Sequence, residues 1–386
     1  MTSETTVHEP GVAAAAGGGE PSRASSNGAA LTLSDVRKTY GSAVAVEGVS
    51  LDVRPGEFVT LLGPSGSGKT TTLNMVAGFV ELDEGEVLLD GTSIARLPPH
   101  KRNIGMVFQN YALFPHMTAR ENLAYPLRRR RMPKAEIARR VTQALELVHM
   151  EAYGDRHPRQ LSGGQQQRIA VARAIVFDPR VLLMDEPLGA LDKKLREALQ
   201  VEIKRIHREL GITFIYVTHD QDEALGMSDR IAIFNEGRIA QIGSAEDLYE
   251  RPASVFVADF VGESNLFEGT CVEERGAACL RCGDLLLSVA RRGAWRAGAA
   301  ATAVVRPEHV LVTPADAQAP ADGWNAATGV VEDVTYLGSA RKYRVCLDVG
   351  GRRVLARPVK GQAVASGSVG DRVTVSWPAD ASIVLA

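Results

Sequence analysis

The chain lacks long apolar runs, an excess of either charge, and any recognisable secretory signal. Its 44 basic and 46 acidic residues leave a formal net charge of -2, which argues against a nucleic-acid partner. No stretch approaches the ~20 apolar residues that span a bilayer as a helix, and the opening MTSETTVHEP has neither the basic start nor the apolar core of a signal peptide. We therefore expect a cytoplasmic chain that reaches a membrane only by docking onto another protein.

Cysteine is scarce and lies late in the chain. Cys279 and Cys282 form a single C-x-x-C, whereas Cys271 and Cys346 have no such spacing. A structural zinc site normally has a second closely spaced pair. We interpret the four as reduced thiols in a β domain, with zinc or a disulfide as the alternative.

The length of 386 residues predicts two folded units. Residues 1–30 are mostly Ala, Gly and Ser, too poor in large apolar side chains to offset the entropy of ordering, and we predict a disordered tail. Residues 31–262 alternate strand-like and helical runs, which predicts a mainly parallel α/β sheet. Residues 263–386 contain short β-rich runs between turns, which predicts an all-β, barrel-like domain.

Two further patterns subdivide the first unit. Apolar residues recur at helical spacing within residues 134–148, at Ile137, Val141, Leu145 and Val148, and predict an amphipathic helix in an inserted helical lobe. Ser244, placed before two acidic residues, predicts a helix start near the end of the unit. The basic run at residues 128–131 is interpreted as a solvated face, with phosphate or lipid contact as the alternative.

A glycine-rich turn after an apolar run carries the first chemical signal. Residues 63–70, GPSGSGKT, match G-x-x-x-x-G-K-[ST] and precede a helical run. In this motif backbone N–H groups bind phosphate oxygens, the lysine reaches the β- and γ-phosphates, and the following hydroxyl holds Mg²⁺. A glycine-rich turn without function is the alternative. The predicted ATP-binding residues are Gly63, Pro64, Ser65, Gly66, Ser67, Gly68, Lys69, Thr70 and Thr71, with Lys69 also catalytic and Thr70 also a metal ligand.

Two carboxylates end a second apolar run, VLLMDE at residues 181–186. The carboxyl end of a parallel strand is where such sheets bind ligands. We assign Asp185 to the Mg²⁺ site and Glu186 to accepting a proton from the attacking water. Alone this pattern is weak evidence for a functional site, because strands often end in acidic residues at the surface. Since it follows the phosphate loop in the same chain, it supports a nucleotide site there.

The segment LSGGQ at residues 161–165 predicts a second anion-binding helix start, with Ser162 as its cap and the glycine N–H groups unobstructed. One nucleotide does not need two such cradles from one chain. We therefore expect Ser162, Gly163 and Gly164 to complete the ATP site of a second copy in a homodimer, and we include Gln165 among the ATP-binding residues.

The LSGGQ segment is also the signature motif of the ABC ATPase family, and residues 31–262 as a whole resemble that family. The resemblance implies that Tyr40 stacks on adenine, that Gln109 senses Mg²⁺ and the attacking water, and that His219 contacts the γ-phosphate and orients Glu186. It also implies that GALD, at residues 189–192, connects the two cassettes. Taken singly, each of these residue types is more often structural.

The second unit resembles the OB-like TOBE domain of importer ATPases for sugars, glycerol phosphate, ferric iron and polyamines. The resemblance lies in VRPEH at residues 305–309 and DVTYLG at residues 333–338. The segment DFVGESNLFEG, at residues 259–269, is most similar to the spermidine/putrescine group. The implied fold is a P-loop ABC cassette, with a RecA-like core and a helical subdomain, followed by an all-β OB-like domain.

The implied function is ATP hydrolysis that drives solute uptake at the cytoplasmic face of the inner membrane. Its partners would be two permease subunits and an extracytoplasmic substrate-binding protein. The expected solute is spermidine or putrescine, with ferric iron, glycerol phosphate or sugar as alternatives. A soluble ABC ATPase in DNA or ribosome function is the non-transport alternative, and a sensor role for the β domain remains open.

Overall fold

The computed structural model describes residues 27–189, 191–291, 295–316, 323–358 and 367–386. Most of the predicted tail, residues 1–26, and Ala190 of the GALD loop lie outside these ranges. Residues 27–30, which we assigned to the tail, instead pack on the first unit. Ala29 is fully buried, and its N–H donates to the Arg180 carbonyl at 3.3 Å. The prediction was wrong here because composition does not register the backbone pairing that holds a short polar segment.

The first unit runs from a β-rich start to two short helices. Its elements are β1 (Leu31–Tyr40), β2 (Ala43–Val53), β3 (Phe58–Leu62), α1 (Lys69–Ala77), β4 (Glu84–Leu89), β5 (Thr92–Ser93), β6 (Ile104–Val107), α2 (Ala119–Arg129), α3 (Lys134–Leu147), α4 (Gly163–Ile175), β7 (Val181–Asp185), α5 (Lys193–Leu210), β8 (Thr213–Thr218), α6 (Gln221–Met227), β9 (Arg230–Asn235), β10 (Arg238–Gly243), α7 (Ala245–Glu250) and α8 (Val255–Phe260).

The central sheet of this unit has the strand order β10-β9-β3-β8-β7-β6. All neighbours except β9 and β10 are parallel, which confirms the predicted mainly parallel sheet. Both β3 and β8 are buried along their whole length, as expected of strands covered on both faces. The loops that leave β3, β6, β7 and β8 therefore start at one edge of the sheet.

A smaller antiparallel sheet, in the order β2-β1-β4-β5, lies beside the central one. The helical lobe consists of α2, α3 and the start of α4, inserted between β6 and β7. The predicted amphipathic helix is confirmed as α3, with Val141, Leu145 and Val148 buried. The basic run at residues 128–131 is exposed, and its interpretation as a solvated face stays a prediction.

The second unit is all-β, as predicted. Its strands are β11 (Asn265–Glu274), β12 (Ala277–Cys282), β13 (Leu285–Ser288), β14 (Ala300–Val305), β15 (Leu311–Pro314), β16 (Trp324–Tyr336), β17 (Arg341–Leu347), β18 (Arg353–Ala356), β19 (Arg372–Pro378) and β20 (Ser382–Leu385). They form two five-stranded sheets, β13-β12-β11-β14-β20 and β15-β19-β16-β17-β18. Phe267 of the first sheet stacks on Trp377 of the second, with 5.4 Å between ring centroids, so the two sheets share one core.

The cysteines of this unit have free thiols, and three of the four are buried. Within the described ranges, no group of three or more His, Cys, Asp or Glu side chains is arranged to hold a metal ion. No helix among the described residues is long and apolar enough to cross a membrane.

The two units meet where α7 and α8 face the end of β14. Arg306 is 2% exposed and donates to the carbonyls of Ala258 at 2.7 Å and Tyr249 at 2.9 Å. Its guanidinium also lies 4.1 Å from the centroid of the Tyr249 ring, and the Tyr249 hydroxyl donates to the Glu308 carboxylate. Ala258 packs with Val304 in a small apolar cluster. Charged and apolar contacts therefore join the β domain to the last two cassette helices.

Candidate nucleotide site

The phosphate loop lies between β3 and α1 and admits only glycine at two positions. A Cβ on Gly63 would lie 2.4 Å from the Phe234 carbonyl oxygen, and one on Gly68 would lie 2.4 Å from the Ala45 carbonyl oxygen. Gly68 also has a φ of 99° and caps α1. Because the first N–H groups of a helix have no partner within it, this close-packed loop presents them to an anion.

Lys69 starts α1 and folds back over this loop. Its side chain is buried, with 4% of the residue exposed, and its ammonium donates to the carbonyls of Gly63 at 2.8 Å and Pro64 at 2.7 Å. Burial lowers the pKa of Lys69, and the carboxylates of Glu186 and Asp185 oppose that shift. A phosphate oxygen would be a stronger acceptor for this ammonium than a carbonyl. Within the loop, Pro64, Ser65 and Gly66 are exposed. Thr71, in the first turn of α1, is half-buried.

Thr70 and Asp185 form the pair that fits a magnesium ion. The Thr70 hydroxyl donates to the Asp185 carboxylate at 3.0 Å. Burial raises the pKa of Asp185, and the hydrogen bond from Thr70 opposes that shift. Hydroxyl and carboxylate oxygens are the donors that Mg²⁺ prefers, and Thr70 follows Lys69 directly in the chain. Gln109, also predicted as a metal ligand, bonds to Glu186 rather than to this pair.

Glu186 lies one residue beyond the end of β7, between an amide and an imidazole. The Gln109 side-chain N–H donates to its carboxylate at 3.5 Å, and His219 Nδ1 lies 3.2 Å from the same oxygen, Oε2. Glu186 has a φ of 43°, a left-handed backbone that is strained for a residue with a Cβ. Its N–H donates to the Val217 carbonyl at 3.0 Å, which holds that conformation. The ends of β6, β7 and β8 therefore bring together the three residues assigned to catalysis beside Lys69.

Tyr40 ends β1 and is 53% exposed. Its ring lies 5.7 Å from the Lys38 ammonium, and an exposed aromatic ring can stack on a base. The adenine role of Tyr40 stays a prediction.

The LSGGQ segment opens α4 as predicted, and its polar groups bond to one another. Ser162 and Gln165 form a capping box, with the Ser162 N–H donating to Gln165 Oε1 at 2.9 Å and the Gln165 N–H donating to Ser162 Oγ at 3.4 Å. Ser162 and Gly163 are exposed, whereas Gly164 is buried. Across the part of the chain that the structure describes, no hydrogen bond joins this segment to the 63–70 loop.

Arg196 is a residue that the sequence reasoning missed. It donates to Asp220, the neighbour of His219, at 2.7 Å and to the Leu191 carbonyl at 3.2 Å. It thereby joins the loop that follows Glu186 to the turn that carries His219. The sequence offers no signal for this role, because Arg196 lies in the charged stretch KKLRE of an amphipathic helix.

Comparison with known proteins covers both units. Residues 46–189 match the family model of the ABC transporter, and residues 303–385 match the TOBE domain. The spermidine/putrescine import ATP-binding protein PotA of Rubrobacter xylanophilus is 49% identical over 92% of this chain and 93% of its own length. PotA of Thermobifida fusca is 45% identical over 100% of this chain and 99% of its own length.

A solved structure matches the first unit. The dimeric ATP-binding cassette MJ0796, in a post-hydrolysis state with ADP and phosphate, is 36% identical to this chain with a TM-score of 0.51. The match covers 56% of this chain and 98% of the cassette. The same cassette has also been solved as a dimer under the description of a bacterial ABC transporter cassette.

Proposed function

The chain belongs to the ABC transporter family of ATP-binding proteins, and from this membership we propose that it powers the import of spermidine or putrescine. ATP hydrolysis, which supplies the power, is supported by the position of Glu186 between Gln109 and His219, beside Lys69. A carboxylate held in this way can accept a proton from a water that attacks the γ-phosphate.

Each group around the nucleotide has a separate role. Lys69 and the N–H groups at the start of α1 bind the phosphates. Thr70 and Asp185 are the residues that would hold Mg²⁺, which neutralises phosphate charge when bound. His219 and Gln109 orient the Glu186 carboxylate through the contacts of 3.2 Å and 3.5 Å. Tyr40 offers its exposed ring to the base.

The ATP site is completed by the second copy in a homodimer. Ser162 and Gly163 are exposed at the start of α4, and the helix N-terminus there suits the face of the γ-phosphate that the 63–70 loop leaves open. The dimeric state of MJ0796 supports this arrangement. Two-fold symmetry then produces two identical composite sites, so that ATP binding closes the dimer and hydrolysis reopens it.

The permease subunits dock where aromatic side chains are exposed near Gln109. Phe79 is 55% exposed, and its ring lies 5.7 Å from that of Phe108, the residue before Gln109. Tyr125 is 38% exposed and lies 4.7 Å from Phe114. Exposed aromatic clusters of this kind are typical of protein–protein contacts. Docking here places the chain at the cytoplasmic face of the membrane, with an extracytoplasmic binding protein on the other side.

The solute assignment rests on the relatives, since the residues of the nucleotide site do not reach a transported molecule. Eight relatives named as spermidine/putrescine import ATP-binding proteins are 43% to 49% identical to this chain. Ferric iron, glycerol phosphate or sugar is the alternative solute for the same type of importer.

The test is uptake by a strain that lacks the gene, complemented with the wild-type chain or with Glu186→Gln at equal expression. We expect uptake of labelled spermidine and putrescine to require the wild-type chain and to fail with Glu186→Gln. Normal polyamine uptake in the deletion strain, with loss of another solute, would overturn the solute while leaving import in place. Normal uptake of every solute tested would overturn import itself.

A further inference from the structure

The loop that follows Gln109 contains two consecutive residues in a left-handed backbone conformation. Tyr111 has a φ of 61° and Ala112 has a φ of 45°. A Cβ makes this region unfavourable, and two such residues in succession persist only where the surroundings hold them. The Tyr111 hydroxyl is buried without a hydrogen-bond partner, so the tyrosine side chain does not provide that support by hydrogen bonding.

The support comes from Arg173. One arm of its guanidinium, Nη1, donates to the Ala112 carbonyl at 2.7 Å, and the other, Nη2, donates to the Tyr111 carbonyl at 2.8 Å. The same group lies 5.6 Å from the centroid of the Phe114 ring. A planar fork satisfies two adjacent carbonyls in one geometry, which the single ammonium of lysine does not.

Arg173 is part of the helix that carries the LSGGQ segment. Helix α4 runs from Gly163 to Ile175, so Arg173 lies about 15 Å along the axis from the signature end. The far end of α4 therefore contacts the backbone two and three residues beyond Gln109, whose amide bonds to Glu186. A continuous chain of contacts joins the exposed signature end of α4 to the catalytic carboxylate of the same chain.

We propose that Arg173 is a positioning residue that couples the signature end of α4 to Gln109. Engagement of Ser162 and Gly163 by the partner's nucleotide then sets the Gln109 amide against Glu186 within the same chain. The inference rests on the proposed cross-interface site, because it needs a ligand at the signature end. It makes hydrolysis at one site depend on occupancy of the other through α4.

The first test compares Arg173→Lys with Arg168→Lys, an arginine on the same helix that makes none of the hydrogen bonds to this loop. We expect kcat for ATP to fall about 10- to 100-fold in Arg173→Lys, with KM changed less than about twofold, because the phosphate loop is untouched. Arg168→Lys should keep wild-type kinetics. A kcat for Arg173→Lys within about twofold of that control would overturn the proposal.

The second test asks whether Arg173 acts through Gln109. The variants are Gln109→Ala, Arg173→Lys and the double variant, all measured for kcat. If the arginine works by placing the amide, the double variant should be no slower than Gln109→Ala alone. If the fold-loss of kcat in the double variant equals the product of the losses in the two single variants, the two residues act independently, and the coupling is overturned.

A rescue variant keeps the proposal testable if Arg173→Lys is poorly folded. Ala112→Gly removes the steric cost of the left-handed backbone, so Arg173→Lys/Ala112→Gly should recover at least half of the lost kcat. No recovery in a chain with a wild-type circular dichroism spectrum would contradict the role assigned to the arginine.

A binding control separates this inference from the proposed function. In a Glu186→Gln background, Arg173→Lys should still form an ATP-dependent dimer, because the signature end of α4 is intact. Absence of an ATP-dependent dimer in Glu186→Gln alone would refute the cross-interface site itself. Loss of the dimer only when Arg173→Lys is added would overturn the positioning role.

Discussion

At the scale of single residues, the site depends on backbone strain as much as on side-chain chemistry. Glu186 has a left-handed backbone held by the Val217 carbonyl, and this conformation turns its carboxylate towards His219 and Gln109. The identity of the glutamate follows from its place after an apolar strand. Its strain, and that of Tyr111 and Ala112, does not follow from any local preference, because all three residue types favour right-handed or extended backbone.

The first prediction concerns the role of Glu186 as the base. Glu186→Gln fills the same space but does not accept a proton, so steady-state ATPase activity should fall about 10²–10⁴-fold while ATP binding is kept and an ATP-bound dimer accumulates. Glu197→Gln, on the exposed face of α5, is the control. ATPase activity of Glu186→Gln within a few-fold of that control would rule out the assignment.

At the scale of elements, the phosphate loop is held from the far end of its helix. Helix α1 begins at Lys69 and ends against Arg102, which is 4% exposed. The Arg102 guanidinium donates to the carbonyls of Met75 at 2.7 Å and Val76 at 2.8 Å, and two further bonds reach the chain that follows β5. A cation at the negative end of the helix dipole satisfies carbonyls that have no partner within the helix.

The second prediction tests this helix end. Arg102→Met removes all four hydrogen bonds, and of the two helix carbonyls only that of Met75 keeps another donor, the Gly78 N–H at 3.2 Å, so the cassette should lose about 3 kcal/mol of unfolding free energy. Urea denaturation followed by circular dichroism measures the loss, with the exposed Arg96→Met as control. If both variants unfold at the same urea concentration as wild type, α1 is not held by Arg102.

At the scale of the whole molecule, the junction between the units includes Tyr249, a tyrosine whose pKa is raised above its usual value. Burial, together with the hydrogen bond to Glu308 and the charge of that carboxylate, raises the pKa of Tyr249 to about 12. A folded-state pKa above that of the unfolded chain means that the contribution of Tyr249 to stability is present below pH 10 and is lost as the pH rises through about 12.

The third prediction follows from the raised pKa of Tyr249. Tyr249→Phe removes the bond to Glu308 and should lower the unfolding free energy by about 1 kcal/mol at pH 8. The difference between wild type and variant should shrink as the pH rises from 10 to 12. Tyr336→Phe, at a position 73% exposed, is the control and should change neither value. A difference that stays constant over this range would mean that Tyr249 does not ionise as proposed.

The fourth prediction concerns the dimer and the side on which the signature acts. Lys69→Ala and Gly163→Asp are each expected to abolish stable nucleotide binding in a homodimer. In a mixed dimer, a signature that acts across the interface places both defects in one site and leaves the other intact, so the purified heterodimer should retain ATP. ATP retention is the readout because hydrolysis could require both sites. A heterodimer that holds no nucleotide, where wild type does, would show that the signature acts within its own chain.

Local sequence alone determined the phosphate loop, the acidic pair and the signature cap, because each is a contiguous segment whose backbone geometry needs particular residues. Gly68 has a left-handed backbone, with a φ of 99°, that favours glycine, and a serine followed by glutamine three residues later is a signature of a helix start. The alternation of strands and helices likewise predicted the parallel sheet, and short β runs predicted the all-β unit.

Only the tertiary structure decided which of these segments meet. Gln109, Glu186 and His219 are far apart in the chain and come together because β6, β7 and β8 are adjacent in the sheet, an order that no local pattern encodes. The same holds for Arg173, Arg196 and Arg306, which lie within ordinary helical or strand sequence and gain their roles from acceptors that are distant in the chain. Residues 27–30 fold for this reason as well: their partners are supplied by β-strand ends that the sequence of the segment does not contain.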